Sequence, residues 1–386
     1  MTAPRSAGGL DNSARVARLS NASSRRVIEP DVDVVGRLTK PQVLPDELLS
    51  IAGLDVGLTP AGRATLAREE LASIVRFGIF FEAVLMSGFA YNLALSDAVT
   101  DPRFTYALHE IGEETRHSRL FVRLFDELAP TQRNMFNSRV VVRFYSRILR
   151  LLLPRPATLD ALVLAGEEIP DLFQRLAAEH PDTDEYVRAI SRYHRLEEAR
   201  HLAYARMTVG EHYRSTTSTD RFAVRWIVPA AIVVMFDTIV PPPVYSTVLL
   251  PAMRTWLRVR RQPARVAMRQ QCVRAVLDAL IDADVLEPGH IPGSWRLAAG
   301  VDHDGRDVRG HDGISVSGVK GPIARVSGLA SATARSIWRP VSAASMTTAS
   351  MASEAMRWTR RAVRPEPLCQ RPPAGSDSAT TVRPMV

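Results

Sequence analysis

Two short runs of the sequence combine glutamate and histidine at a spacing that suits metal binding. One run contains His194, Glu198 and His201, and the other contains Glu114 and His117. Residues three, four and seven positions apart share one face of a helix, so the side chains of each run point the same way. Imidazole nitrogens and carboxylate oxygens are donors for first-row transition metals. In helical bundles, two Glu-x-x-His helices facing two helices with one glutamate each form di-iron or di-manganese sites.

The single glutamates that such a site requires are also present. Glu82 interrupts an apolar helical stripe over residues 75–89 and precedes Glu114 by 32 positions. Glu167 precedes Glu198 by 31 positions, which is nearly the same separation. Equal separations would return the chain to the same depth in a bundle, so Glu82 and Glu167 are candidate ligands.

The choice of glutamate in the second half is open between Glu167 and Glu168. Helical phase favours Glu168, because it shares a face with the apolar residues around it. The separation from Glu198 favours Glu167, because 31 positions nearly equal the 32 positions between Glu82 and Glu114. Pro170 disturbs the helical phase here, so both residues are kept as candidate ligands.

The alternative interpretation is a set of surface ion pairs, which are common at this spacing on helices. That alternative suffices for one Glu-x-x-His pair, but not for two pairs accompanied by isolated acids on apolar stripes. A buried carboxylate is costly unless a cation compensates its charge. Glu113 and Glu197 are predicted to face outward or to hold a ligand imidazole. His109 and Glu110 are interpreted as surface groups or as neighbours of the ligands.

The elements that must position these side chains are all helical. Thr59-Pro60 and Asp101-Pro102 are good helix starts, and Thr158 is a third candidate N-cap. No long alternating strand pattern is present. The apolar periodicity predicts helices over residues 60–95, 102–128, 135–153, 158–178, 182–213, 222–260 (as one or two) and 262–286.

Composition narrows the classes of partner and the location. The chain has 386 residues and a net charge of +8, but residues 314–386 contain ten Lys/Arg and three Asp/Glu. The middle is therefore nearly neutral, which argues against a nucleic-acid partner. Two cysteines, Cys272 and Cys369, give no disulfide framework, and no secretory signal is evident. Residues 226–250 are apolar but interrupted by prolines and Asp237, so we expect a cytoplasmic protein.

Together these residues resemble the p-aminobenzoate N-oxygenase (AurF-like) family of non-haem di-iron proteins. The resemblance covers roughly residues 60 to 290, and the additional histidine one turn before the last glutamate is its discriminating mark. It implies a ferritin-like helical fold, a homodimer, and O2 activation at two irons. The family's best-known reaction takes an aryl amine through the hydroxylamine to a nitro group. The ligands that the resemblance implies are Glu82, Glu114, His117, Glu167 or Glu168, His194, Glu198 and His201.

The predicted architecture is therefore all-α: a ferritin-like helical bundle with additional C-terminal helices and a disordered basic tail. The predicted domains are a mobile arm over residues 1–40, a di-iron helical domain over 41–299, and the tail over 300–386. The tail is rich in Gly, Ser, Ala, Thr and Pro, which cannot bury enough apolar surface to fold. Scattered arginines in it could touch an anionic membrane surface, but solvated arginines are the more common case.

The predicted function is a di-iron oxygenase acting with O2 on a small organic substrate, by N-oxygenation of an aryl amine. The alternatives are a hydroxylase or desaturase acting on carbon, and a non-enzymatic ferritin-like metal protein. An external reductase must supply electrons, since no flavin or dinucleotide loop is evident. The cofactor is two iron ions, with manganese left open as a substitute.

Overall fold

The protein is described by a computed structural model that covers residues 7–25, 27–132 and 139–308. Regular structure in these residues is helical, apart from an isolated bridge between Val301 and Asp307. The all-α prediction is confirmed. The longer helices are α1 (Ala7–Arg25), α3 (Pro60–Ala94), α4 (Pro102–Leu128), α5 (Arg139–Leu152), α6 (Pro156–Glu179), α7 (Glu185–Ser215), α9 (Val228–Thr238), α11 (Ala252–Val259) and α12 (Pro263–Asp282). The short ones are α2 (Pro30–Asp33), α8 (Ser218–Phe222), α10 (Pro242–Ser246) and α13 (Gly293–Ala299).

Helices α3 and α4 begin where the sequence predicts. The Thr59 hydroxyl oxygen accepts a hydrogen bond from the Gly62 amide at 3.1 Å, and Asp101 accepts one from the Arg103 amide at 2.8 Å. A proline follows each cap, where its missing N–H costs nothing. Both helix starts are therefore fixed by residues adjacent in the chain.

Helix α6 begins differently from the prediction. It starts at Pro156, and the N-cap residue Arg155 makes no capping hydrogen bond with its side chain. Thr158 lies inside the first turn, where its amide and hydroxyl both donate to the carboxylate of Asp220. Asp220, which lies 62 positions after Thr158, thus accepts hydrogen bonds from the first turn of α6.

Helices α3, α4, α6 and α7 form the bundle that carries the candidate metal ligands. The most extensive helix contacts are those between α6 and α7 and between α3 and α4, and α12 packs on α6. Gly166 allows α6 to approach α3 closely, because a Cβ at this position would overlap the Phe81 ring. Phe81 and Gly166 directly precede Glu82 and Glu167, so this close approach holds the two carboxylates near the same level of the bundle.

The stretch predicted to be a mobile arm, residues 1–40, contains helix α1 in the structure. Val16, Ser20 and Ser23 of α1 are buried, and Asn12 donates a hydrogen bond to Glu211 of α7. Because the buried residues are mostly small and polar, no apolar stripe marks this helix in the sequence. Residues 301–308 carry the isolated bridge, and the remainder of the predicted tail lies outside the described residues. The domain boundaries stay a prediction.

Two helical stretches of the described residues are long and apolar enough to cross a membrane, judged by length and composition alone. They are α3 and the run Ser218–Ser246, in which 39% and 50% of the most apolar window is buried. Core helices of folded proteins pass the same test, so this composition is weak evidence for a membrane location. The cytoplasmic location stays a prediction.

Candidate metal centre

Seven of the eight predicted ligand residues are buried in the interior of the four-helix bundle. Each of the seven has at most 4% of its surface exposed. They come from all four helices: Glu82 from α3, Glu114 and His117 from α4, Glu167 from α6, and His194, Glu198 and His201 from α7.

Glu114 and Glu198 each face two histidines at once. Glu114 places Oε2 at 3.4 Å from His117 Nδ1 and Oε1 at 3.2 Å from His201 Nδ1. Glu198 places Oε1 at 3.0 Å from His117 Nδ1 and Oε2 at 2.8 Å from His201 Nδ1. A carboxylate that offers one oxygen to each of two imidazoles is arranged to bridge two cations.

Glu82 and His194 join the His117 side of this arrangement. His194 Nε2 lies 3.4 Å from Glu82 Oε1 and 3.3 Å from Glu198 Oε1. Possible ligand atoms of Glu82, His117 and His194 all lie within 4.8 Å of one another, and the same holds for Glu114, His117 and Glu198. These distances suit donors gathered around a common cation.

Glu167 and Glu168 take different positions. Glu167 is buried, and burial together with the nearby charge of Glu198 raises its pKa well above its usual value. Glu168 forms an ion pair with Arg206 at 2.6 Å and is partly exposed. Helical phase, which favours Glu168, is therefore the poorer guide, and Glu167 is the candidate ligand from α6.

The Nε2 atoms of His117 and His201, which point away from the cluster, contact further carboxylates from the opposite helix. His117 Nε2 of α4 lies 2.9 Å from Glu197 Oε2 of α7, and His201 Nε2 of α7 lies 2.8 Å from Glu113 Oε2 of α4. Tyr193 donates a further hydrogen bond to Glu197 at 2.8 Å. Each carboxylate favours a proton on Nε2, which leaves Nδ1 free to bind a metal. These contacts agree with the prediction that Glu113 and Glu197 hold ligand imidazoles.

Two arginines that the sequence analysis did not identify balance these outer carboxylates. Arg200 lies 2.7 Å from Glu113 Oε1, and Arg116 lies within 4 Å of both Glu113 and Glu197. Burial would raise the pKa of Glu113, but the His201 hydrogen bond and Arg200 outweigh it and lower the pKa to about 2. The repeat Glu-Glu-x-Arg-His at 113–117 and 197–201 is the signal that could have revealed both arginines.

Ser118 and Gln174 also position ligands without being evident from the sequence. Ser118 donates a hydrogen bond to Glu82 Oε2 at 2.5 Å. His194 Nδ1 lies 3.0 Å from Gln174 Oε1, so this nitrogen carries the proton and Nε2 faces the cluster. Burial lowers the pKa of His194 to about 4, which keeps its imidazole neutral and able to bind a metal.

The interior of the cluster fits a pair of cations. Glu114 Oε1 and Glu198 Oε1 are buried, and each faces a histidine Nδ1 atom without making a well-aligned hydrogen bond to it. Burial and the neighbouring Glu114 raise the pKa of Glu82 well above its usual value, as expected for carboxylates crowded without compensation. Four carboxylates and three imidazoles supply the oxygen and nitrogen donors that iron and manganese accept.

Comparison with known proteins agrees with this geometry. The family model of p-aminobenzoate N-oxygenase AurF matches residues 10–284. The chain belongs to the AurF family. The ferritin-like helical fold agrees with this match.

Curated relatives add no activity to the AurF match. An uncharacterised protein of Mycobacterium bovis is 26% identical over 175 residues, which are 45% of this chain and 50% of the relative. Uncharacterised proteins from two Mycobacterium tuberculosis strains match to the same extent. The chain thus spans about half the length of the curated relatives it matches.

Proposed function

We propose that the protein is a di-iron N-oxygenase that transfers an oxygen atom from O2 to the nitrogen of a small aryl amine. The observation that carries the proposal is the pair Glu114 and Glu198, each offering one oxygen to His117 and the other to His201. Two bridging carboxylates with one histidine on each side are the core of a bundle di-metal site.

The proposed ligands divide between two metal positions. Glu82, His117 and His194 would hold one ion, Glu167 and His201 would hold the other, and Glu114 and Glu198 would bridge them. When bound, the two irons supply the electrons and the Lewis acidity needed to activate O2. Manganese at one position is compatible with the same donors.

The overall reaction sets what else the protein needs. An aryl amine, O2, two electrons and two protons give an aryl hydroxylamine and water, so one oxygen atom forms the N–O bond and the other leaves as water. The sequence shows no flavin or dinucleotide-binding loop, so we propose an external reductase as the electron donor. We also propose a homodimer, as the family resemblance implies.

We propose that the substrate approaches this centre through a narrow cleft of about 20 Å³, which must widen to admit an aromatic ring. Residues of α3, α4, α6 and α7 line the cleft, among them exposed Asn92 and buried Glu110. Leu85, Leu159 and Val163 line it. Possible ligand atoms of Glu110, Glu114 and His201 lie within 4.8 Å of one another, so the inner end of the cleft reaches the candidate metal ligands. Apolar walls exclude water and suit an aromatic ring.

Charge in the cleft favours one class of amine. Its charged lining residues are Glu110 and Asp160, and Asp160 is paired with His212 at 2.7 Å. No arginine or lysine is among the described residues that line the cleft. A carboxylate on the substrate would have no cationic partner there, so we propose an uncharged or cationic aryl amine rather than an aminobenzoate.

A single-turnover comparison tests the proposed activity. The iron-loaded, chemically reduced protein is mixed with ¹⁸O2 and either 4-methoxyaniline or p-aminobenzoate, and products are analysed by mass spectrometry. We expect ¹⁸O-labelled hydroxylamine from 4-methoxyaniline and none from Glu198→Ala with either amine. The product from p-aminobenzoate should be at least ~10-fold less, which corresponds to ~1.4 kcal/mol of activation free energy.

Two results would overturn this proposal. Consumption of O2 without oxygen transfer to either amine would contradict N-oxygenation, and labelled product from an added alkyl or acyl substrate would favour oxidation of carbon. Preference for p-aminobenzoate would contradict the proposed uncharged or cationic substrate, but not N-oxygenation itself.

A further inference from the structure

The two metal-binding helices repeat one pattern of three residues. In α4 the residues Glu110, Glu114 and His117 are spaced by four and three positions, and in α7 the residues His194, Glu198 and His201 have the same spacing. Glu114 therefore corresponds to Glu198, and His117 to His201. By the same register, Glu110 of α4 corresponds to His194 of α7.

Glu110 also occupies the equivalent place in space. Ligand atoms of His194, His117 and Glu82 lie within 4.8 Å of one another on one side of the centre. On the other side, ligand atoms of Glu110, His201 and Glu114 lie within the same distance of one another. Glu110 thus faces the second metal position as His194 faces the first.

The Glu110 side chain is buried beside candidate metal ligands without a partner for one of its oxygens. Only 1% of the residue is exposed, and its Oε2 atom is buried and has no hydrogen-bond partner among the described residues. Gln174 holds the far nitrogen of His194, whereas none of the described residues donates a hydrogen bond to Glu110 Oε2. An ionised carboxylate without a partner in the interior costs several kcal/mol, and a metal ion is the compensation that its neighbours point to.

We propose that Glu110 is an additional ligand, bound to the metal that His201 holds; this inference rests on the proposed di-metal function and deepens it. The two metal positions then differ in chemistry. The first has two imidazole nitrogens, from His117 and His194, whereas the second has the single imidazole of His201 and an additional carboxylate. Glu110 also lines the cleft, so this proposed ligand lies beside the proposed route of the substrate.

Cobalt binding to the metal-free protein tests this inference without using enzyme activity. The wild type, Glu110→Gln, Glu110→His and Glu168→Gln are titrated with Co²⁺ under anaerobic conditions and followed by calorimetry and visible absorption. Glu168→Gln is the matched control, because it is the same substitution on the same bundle at a residue paired with Arg206.

We expect two Co²⁺ ions per wild-type chain and two per Glu168→Gln chain. Glu110→Gln should bind the first ion as the wild type does and the second at least ~10-fold more weakly, as loss of a ligand or its support commonly causes. Glu110→His should retain the second site, because it copies the His194 side of the centre. Thermal melting of the metal-free variants accompanies the titration, and Glu110→Gln should melt no lower than the wild type because it removes an unpartnered buried charge.

The outcomes separate this inference from the proposed function. Two Co²⁺ ions bound to Glu110→Gln with wild-type affinity would overturn the role of Glu110 and leave the di-metal centre intact. A Glu110→Gln variant that loses metal only because its metal-free form melts far below the wild type would also contradict the inference. Failure of the wild type itself to bind two ions would overturn the proposed function.

Discussion

At the scale of single residues, the centre depends on carboxylates that are held by the opposite helix. Glu197 of α7 holds His117 of α4, and Glu113 of α4 holds His201 of α7. These two imidazoles are therefore oriented only when α4 and α7 are docked on each other. Arg116 and Arg200 balance the outer pair of carboxylates, so that the inner carboxylates are left for the metals.

Glu197→Gln should weaken metal binding although Glu197 does not reach the metals itself. The amide keeps the size of the side chain but is a poorer acceptor for the His117 Nε2 proton. We expect about 10- to 100-fold weaker binding of the metal on the His117 side, measured by competition with a coloured chelator. Wild-type affinity in this variant would show that the Glu197–His117 contact does not tune the site. Arg206→Gln, outside this network, serves as the control.

Glu70, outside the metal centre, should make stability depend on pH. It is buried and accepts hydrogen bonds from the amide and hydroxyl of Ser50, which also contacts Tyr245. Burial outweighs the Ser50 hydrogen bonds and raises the pKa of Glu70 from 4.5 to about 7. Between these two pH values the folded protein keeps a proton that the unfolded chain has lost, so stability falls as pH rises.

Glu70→Gln should remove this dependence. Relative to the variant, the wild type should lose about 1.4 kcal/mol of unfolding free energy for each pH unit between pH 4.5 and 7. The total loss should reach up to about 3 kcal/mol, and the difference should be constant above pH 7. Urea unfolding of both proteins from pH 5 to pH 8 measures the difference. A constant difference across that range would contradict the raised pKa.

At the scale of elements, the depth of the two single glutamates depends on the contact between α3 and α6. Gly166→Ala would place a methyl group into the Phe81 ring. Overpacking of this kind should destabilise the protein by roughly 1–3 kcal/mol. Because Glu82 and Glu167 follow directly, we also expect lower metal occupancy, measured by elemental analysis.

Gly112→Ala on α4 is the control for this helix contact. The nearest atom to a Cβ there is Arg116 Nη1 at 3.8 Å, so the methyl group makes an ordinary van der Waals contact without overlap. Alanine should stabilise this helix by about 0.5–1 kcal/mol through its better propensity. Equal stability of the two alanine variants in chemical unfolding would contradict the close α3–α6 contact.

Local signals predicted the elements well, and distant contacts explain the differences. The starts of α3 and α4 depend on Thr59 and Asp101, whose partners are two or three residues away. The start of α6 depends on Asp220, which no local pattern connects to Thr158. Helix α1 was not predicted because its buried face is made of small and polar residues.

The candidate site was largely predictable because spacing on a helix fixes the shared face of its residues. The two Glu-x-x-His pairs and Glu82 needed only that rule. The register of Glu110 with His194 is also visible in the sequence, but the closeness of Glu110 to His201 depends on the docking of α4 on α7. The choice between Glu167 and Glu168 also required tertiary contacts, since Glu168 pairs with Arg206 and is partly exposed whereas Glu167 is buried.

At the scale of the whole molecule, every candidate ligand lies between residues 82 and 201. Deletion of residues 309–386 should therefore leave two metals bound per chain and change the metal-free melting temperature by only a few degrees. Elemental analysis and thermal melting of the truncated protein check this. Loss of metal on truncation would contradict a centre built entirely within the four-helix bundle.

The most direct measurement of the central claim is the iron content of the anaerobically reconstituted protein. Plasma mass spectrometry should find about two irons per wild-type chain, as a four-helix carboxylate site requires. His194→Ala and Glu198→Ala should lower that content sharply, because each removes a donor from the shared cluster. Wild-type protein without bound metal, or both variants with wild-type iron, would contradict the di-metal centre.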